Sequence, residues 1–139
     1  MAFLGRLHPL LIHFPIALVI AAAAAEVWAI VTGDARWRTV AVGNARAGAV
    51  FALMAVLTGW RLASAPGVEM TSLLAWHRWL GSVTAAATLT AALAASRTER
   101  RRLFKVSVYR ITLLGAGALV ALTGHLGGLL VWGADFLRP

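Results

Sequence analysis

The stretch Thr123-Gly124-His125-Leu126-Gly127-Gly128 sets one ionisable residue among glycines, inside an apolar run covering residues 111–132. About 20 such residues cross the hydrocarbon core of a bilayer as a helix. The run therefore reads as a transmembrane helix and His125 as an intramembrane histidine. An ionisable group at that depth is costly, so it points to function wherever a partner can be named for it.

Working outward, composition agrees. The chain has 139 residues, of which 60% are hydrophobic and 13% charged, about half the charged share of an average soluble domain. It reads as an integral membrane protein. Cysteine is absent, which excludes disulfides, thiolate metal sites and haem attached through Cys-x-x-Cys-His. A metal or cofactor must be held by histidine, carboxylate or backbone. The net charge of +8 lies in the connections between apolar runs, the pattern of loops retained on the cytoplasmic side. With no soluble domain left over, nucleic-acid binding is not expected.

Four apolar runs are expected as helices, at about 9–31, 40–62, 72–95 and 106–132, forming an all-α transmembrane four-helix bundle that is one membrane domain over residues 1–139. Residues 1–25 have the outline of a secretory signal, with Arg6 followed by an apolar stretch and alanines. Two histidines, Pro15 and apolar character continuing through Val27, Trp28 and Ile30 favour a retained span. Pro15 is expected to loosen the turns near His13. Residues 32–38 read as a turn around Gly33 and Asp34. In the second run Arg46 either snorkels towards the headgroups or pairs with Glu26 near the same end of the first helix. Pro66 and Gly67 mark a loop, Thr71 or Ser72 caps the third helix, and residues 96–105 form the most basic connection. No internal repeat stands out.

Four spans place both termini and the second loop on one side. That side carries Arg6, Arg61, Arg78 and Arg138, against Arg36, Arg38, Arg46, Arg97, Arg100, Arg101, Arg102, Lys105 and Arg110 on the other. The excess puts the basic loops in the cytoplasm and the termini outside, as a multi-pass protein of a bacterial inner membrane.

At about 1.5 Å of rise per residue, His13, His77 and His125 reach comparable depth in the outer leaflet, with His8 one to two turns above. The faces beside them are small. Ala118, Ala121 and Gly128 flank His125, and Gly81, Thr84 and Thr88 follow His77. Gly124 and Gly128 make a Gly-x-x-x-Gly spacing, which also serves helix association alone. Neutral imidazoles ligate iron, copper or zinc, and two on facing helices can hold b-type haem without cysteine. Arg6, Arg61 and Arg78 are placed to pair with propionates. Trp60, Trp76, Trp79 and Trp132 at this end fit an interfacial aromatic belt.

These residues carry a resemblance. Leu7-His8-Pro9, His13-Phe14-Pro15, His77-Arg78-Trp79 with Gly81, and Gly124-His125-Leu126-Gly127-Gly128 with Gly133 resemble, over essentially the whole chain, a bacterial family of small predicted membrane proteins of unknown function. The resemblance carries over His8, His13, His77 and His125 as its signature histidines. Some of its relatives are joined to Rieske or cytochrome c domains, which implies electron transfer with a separate periplasmic partner here.

The expectation is thus an electron-transfer subunit more than a stand-alone enzyme. It would bind haem b through a pair from His13, His77 and His125, with Gly81, Gly124, Gly128, Arg61 and Arg78 contributing to the pocket. Electrons would pass between the quinone pool and a periplasmic cytochrome c or Rieske-type protein, within a larger complex or homo-oligomer. One haem is favoured over two, His8 being the ligand available to a second. Two competitors stand: copper or zinc held directly by three of the histidines, and a cofactor-free anchor whose histidines only bond between helices.

Overall fold

Small residues dominate every inward face, and the helices approach closely because of it. The computed structural model describes residues 2–95, 102–133 and 135. They form α1 (Ala2–Arg6), α2 (His8–Leu11), α3 (His13–Thr32), α4 (Ala35–Ala63), α5 (Ser72–Ala94) and α6 (Arg102–Trp132), with no strand among the described residues. α1 to α3 act as one leg. Its breaks at Leu7 and Ile12 keep helical backbone angles and precede Pro9 and Pro15, whose missing N–H groups cannot close the ladder. Three stretches are long and apolar enough to cross a membrane: Phe3–Thr32, Ala35–Ala63 and Val106–Trp132. α5 has 23 residues, long enough to accompany them, but His77 and Arg78 lower its hydropathy.

The legs run antiparallel in a ring. Glu26 meets Arg38 and His8 meets Ala55 between the first leg and α4. Trp60 meets Ser82 between α4 and α5, and His77 meets Thr123 between α5 and α6. Gly117 against Ala23 and Gly124 against Ile16 close α6 onto α3. A Cβ added at Gly48 would lie 3.0 Å from Val19 Cγ2, and one at Gly117 3.0 Å from Ala23 Cβ. Such contacts let dispersion act between backbones where lipid supplies no hydrophobic drive. Ala22, Ala45, Ala91, Tyr109 and Leu113 fill the core at one end, and Val19, Ala116 and Val120 continue it.

Turn chemistry sets where the legs end. Gly33 takes φ 71° and sends its N–H to Ala29 O, a left-handed glycine stop. Asp34 then caps α4, its Oδ1 accepting from Arg36 N at 2.9 Å. The turn expected over residues 32–38 shrinks to these two, and α4 starts at Ala35 instead of about 40. α6 likewise begins at Arg102 instead of about 106, and the first leg at Ala2 instead of about 9. Residues 96–101, including Arg97, Arg100 and Arg101, lie outside the described residues, as does Arg138.

The expected Arg46–Glu26 pair does not form. Glu26 is 0% exposed, and its Oε1 accepts from Arg38 Nη2 at 3.0 Å and Arg110 Nε at 2.9 Å, while Arg46 is exposed. A carboxylate in this core needs cations on both sides to offset its desolvation. The cluster thereby ties α3 to α4 and α6.

Candidate functional site

At the opposite end of the bundle from Glu26, the four legs part around a cavity of about 500 Å³. This is within the range of about 300–1,000 Å³ typical of ligand sites. Its walls are mostly aliphatic, and its polar groups include His8, His77, Arg78, Glu69, Thr84 and Thr123.

The two histidines are fixed in the same way. His8 Nδ1 lies 2.9 Å from Ala55 O and 3.4 Å from Thr58 Oγ1. His77 Nδ1 lies 3.1 Å from Thr123 O. A carbonyl oxygen only accepts, so in each neutral ring Nδ1 carries the proton and donates it. Nε2 then holds the lone pair. The ring centroids are 6.5 Å apart with planes at 79°. Each ring also rests on a glycine. A Cβ at Gly59 would fall 2.8 Å from His8 Cε1, and one at Gly127 3.1 Å from His77 Cε1.

This likeness extends to the cavity wall. His8, Ile12 and Ile16 correspond to His77, Gly81 and Ala85, each 69 positions on. Ala52, Ala55 and Gly59 correspond to Val120, Thr123 and Gly127, each 68 positions on. The hairpin of the first leg and α4 and the hairpin of α5 and α6 thus set matching positions around the cavity. No repeat stands out in the sequence because side-chain identity is lost at most of these corresponding positions.

At the rim the halves differ. Arg78 stands where the first half has Pro9, with its guanidinium 3.8 Å over the Trp60 ring and Nη1 3.4 Å from Met70 Sδ. Trp60 Nε1 donates to Ser82 Oγ at 3.1 Å, and that hydroxyl donates to Arg78 O at 2.9 Å. Trp79 packs edge-on against Trp60. Arg6 and Arg61 are exposed at the same end.

Of the expected pair from His13, His77 and His125, only His77 lines the cavity, and its companion is His8. His13 and His125 are exposed on the outside of the bundle. Five residues on a helix turn a side chain about 140° from its starting direction, so His8 and His13 cannot both face inward. His125 is likewise turned well away from Thr123 and Gly127. Among the described residues no group of three or more His, Asp or Glu is placed to hold one metal ion, so three imidazoles do not converge. Gly81 and Gly124 line the cavity and Gly128 does not. The Ala55 and Thr123 carbonyls, with Gly59 and Gly127, were not singled out from the sequence. The available signal was a glycine four residues after a small residue, but Thr39 with Gly43 and Gly124 with Gly128 show the same spacing, so it did not single these positions out.

No curated protein and no solved structure matches this chain. A family model described as "Predicted membrane protein (DUF2231)" matches residues 6–136, nearly the whole of the bundle and both histidine-bearing hairpins, and the chain therefore belongs to this family of predicted membrane proteins of unknown function.

Proposed function

We propose that the cavity holds one b-type haem with His8 and His77 as its two axial ligands, and that the protein is a membrane electron-transfer subunit. The observation that carries the reading is the shared tautomer. Both Nδ1–H groups are committed to backbone carbonyls, the outer hydrogen bond that orients ligating imidazoles and raises their basicity. Both Nε2 lone pairs remain for the cavity.

Two further observations support it. Copper(II) or zinc asks three or four ligands of a protein, whereas a macrocycle brings its own equatorial nitrogens and needs two axial ones. His8 and His77, with ring centroids 6.5 Å apart, are the two imidazoles near enough to each other that they would hold such a group together. Haem bound there supplies one-electron exchange, its potential set by axial ligands and burial. The chain's own residues hold the imidazoles, exclude water along the aliphatic walls, and at Arg78 offer a cation to an acidic ligand edge. The excess of arginine at the Glu26 end favours that end as cytoplasmic, with the cavity facing the exterior of a bacterial inner membrane. Quinone and a periplasmic cytochrome c or Rieske-type protein are the partners this position suits.

The test is the visible spectrum of detergent-purified protein, oxidised and dithionite-reduced, after expression with ample haem. A sharp reduced α-band is expected, lost in His8→Ala and His77→Ala and kept in His13→Ala and His125→Ala. A colourless wild-type protein overturns the reading. Metal analysis of that sample then separates a copper or zinc site from two imidazoles bridged by water.

A further inference from the structure

The two imidazoles are held by one device built twice, and its least conspicuous part is a pair of glycines. In α4, Ala55 O receives the His8 Nδ1–H, and Gly59, four residues on, lies under the ring. In α6, Thr123 O receives the His77 Nδ1–H, and Gly127, again four residues on, lies under the ring. Carbonyl and glycine are one helical turn apart on the same face, so a ring that satisfies the carbonyl must cross the glycine. Nothing larger than hydrogen fits there without displacing it. The clearances are unequal, 2.8 Å at Gly59 against 3.1 Å at Gly127.

We infer that Gly59 and Gly127 are positioning residues for the two histidines, each fixing the tautomer and aim of one ring by leaving it the space to reach its carbonyl. The inference rests on the haem reading for its functional meaning, but its geometric part does not. A methyl at 59 lifts the His8 ring off Ala55 O, freeing Nδ1 and turning Nε2. A methyl at 127 demands only a few tenths of an ångström from His77. Disturbing the outer hydrogen bond of a ligating histidine lowers affinity about 10- to 100-fold. Gly59→Ala is placed in that range, and Gly127→Ala is expected at its lower end or below.

The experiment has two readouts on the full chain in micelles. The first is ¹⁵N NMR of histidine-labelled protein purified without haem. Wild type should show two rings with hydrogen-bonded Nδ1–H and bare Nε2. Gly59→Ala should move only the His8 resonances and Gly127→Ala only those of His77. The second is titration with haem, followed by the low-temperature EPR signature of the oxidised centre, which reports axial ring orientation and which a general loss of packing would not move in this selective way. Gly128→Ala, with nothing within 4 Å of the added Cβ, is the control and should leave both readouts unchanged. If wild type takes up no haem while the NMR shifts follow the glycines, the haem reading falls and the seats stand. If haem binds to both variants with wild-type affinity and EPR signature, the positioning role falls and the haem reading stands. Should Gly59→Ala fail to fold, the milder Gly127→Ala decides by the same two measurements, and Nε2–H tautomers in wild type overturn the inference outright.

Discussion

Replacing Glu26 with Gln should cost the bundle about 3 kcal/mol, a figure that follows from the surroundings of a single oxygen. Oε1 receives Arg38 Nη2 at 3.0 Å and Arg110 Nε at 2.9 Å. The amide keeps the shape and the acceptor, so both hydrogen bonds survive without their ionic component. Charge-assisted bonds are roughly twice as strong as neutral ones, so each weakens by about 1 kcal/mol. Two guanidinium nitrogens sharing one oxygen at these distances are at most about 6 Å apart, and their repulsion of about 3 kcal/mol at an effective dielectric of 20, present in both proteins, is offset by a carboxylate charge only in wild type. Part of that repulsion is recovered, because the arginine side chains are 36% and 35% exposed and can turn towards the headgroups. Arg110→Gln removes one bond but leaves no opposed cations, and should cost about 1–2 kcal/mol. The assay is reversible unfolding in mixed micelles, followed by circular dichroism, for wild type, Glu26→Gln, Arg38→Gln and Arg110→Gln. Equal stability of Glu26→Gln and wild type, or a larger loss in either arginine variant, would refute the argument that this carboxylate holds two cations together.

Other expectations are read in the same assay. Gly48→Ala drives a methyl to 3.0 Å from Val19 Cγ2 and 3.4 Å from Leu18 Cβ and should destabilise by about 1–3 kcal/mol. Gly43→Ala, with nothing within 4 Å, should be neutral or stabilising by up to about 1 kcal/mol; finding the reverse order would mean that α3 and α4 do not meet at Gly48. Asp34→Ala removes the acceptor for Arg36 N and should cost about 0.5–2 kcal/mol, with Asp34→Asn close to wild type. Gly33→Ala, forced to φ 71°, should cost about 1–2 kcal/mol.

Hydropathy and length made the four legs legible, because both are local properties of the chain. Depth was legible only in part: it accumulates linearly with residue number and brought the histidines to one end, but His8, expected one to two turns above His77, lies level with it. Azimuth was not. His13 and His125 face outward, because the direction of a side chain depends on which stripe of each helix the neighbours cover. Glu26 shows the same limit. A partner for it was sought in Arg46, beyond the expected turn, but Arg38 supplies one cation, and Arg110 supplies the other across a contact made only when α6 closes on α3. The repeat escaped notice because Ile12 faces Gly81 in the correspondence, Val56 faces Gly124, and Pro9 faces Arg78. Of the cavity-wall pairs named above, only His8 with His77 and Gly59 with Gly127 are the same in both halves.

That correspondence has a consequence for how the molecule can be divided. Each hairpin owns one imidazole together with the carbonyl and glycine that seat it, so each carries one half of the cavity's pair of histidines. Two copies of either hairpin would supply both ligands, related by a true symmetry axis, but such a pairing would present identical flanks to whatever lay between them. Joined in one chain, the halves differ. Pro9, Ile12 and Val56 make one flank bulky and apolar, and Arg78, Gly81 and Gly124 make the other open and charged. Were the proposed haem bound, its edges would meet unlike flanks, a distinction that no symmetric pair of hairpins has to offer.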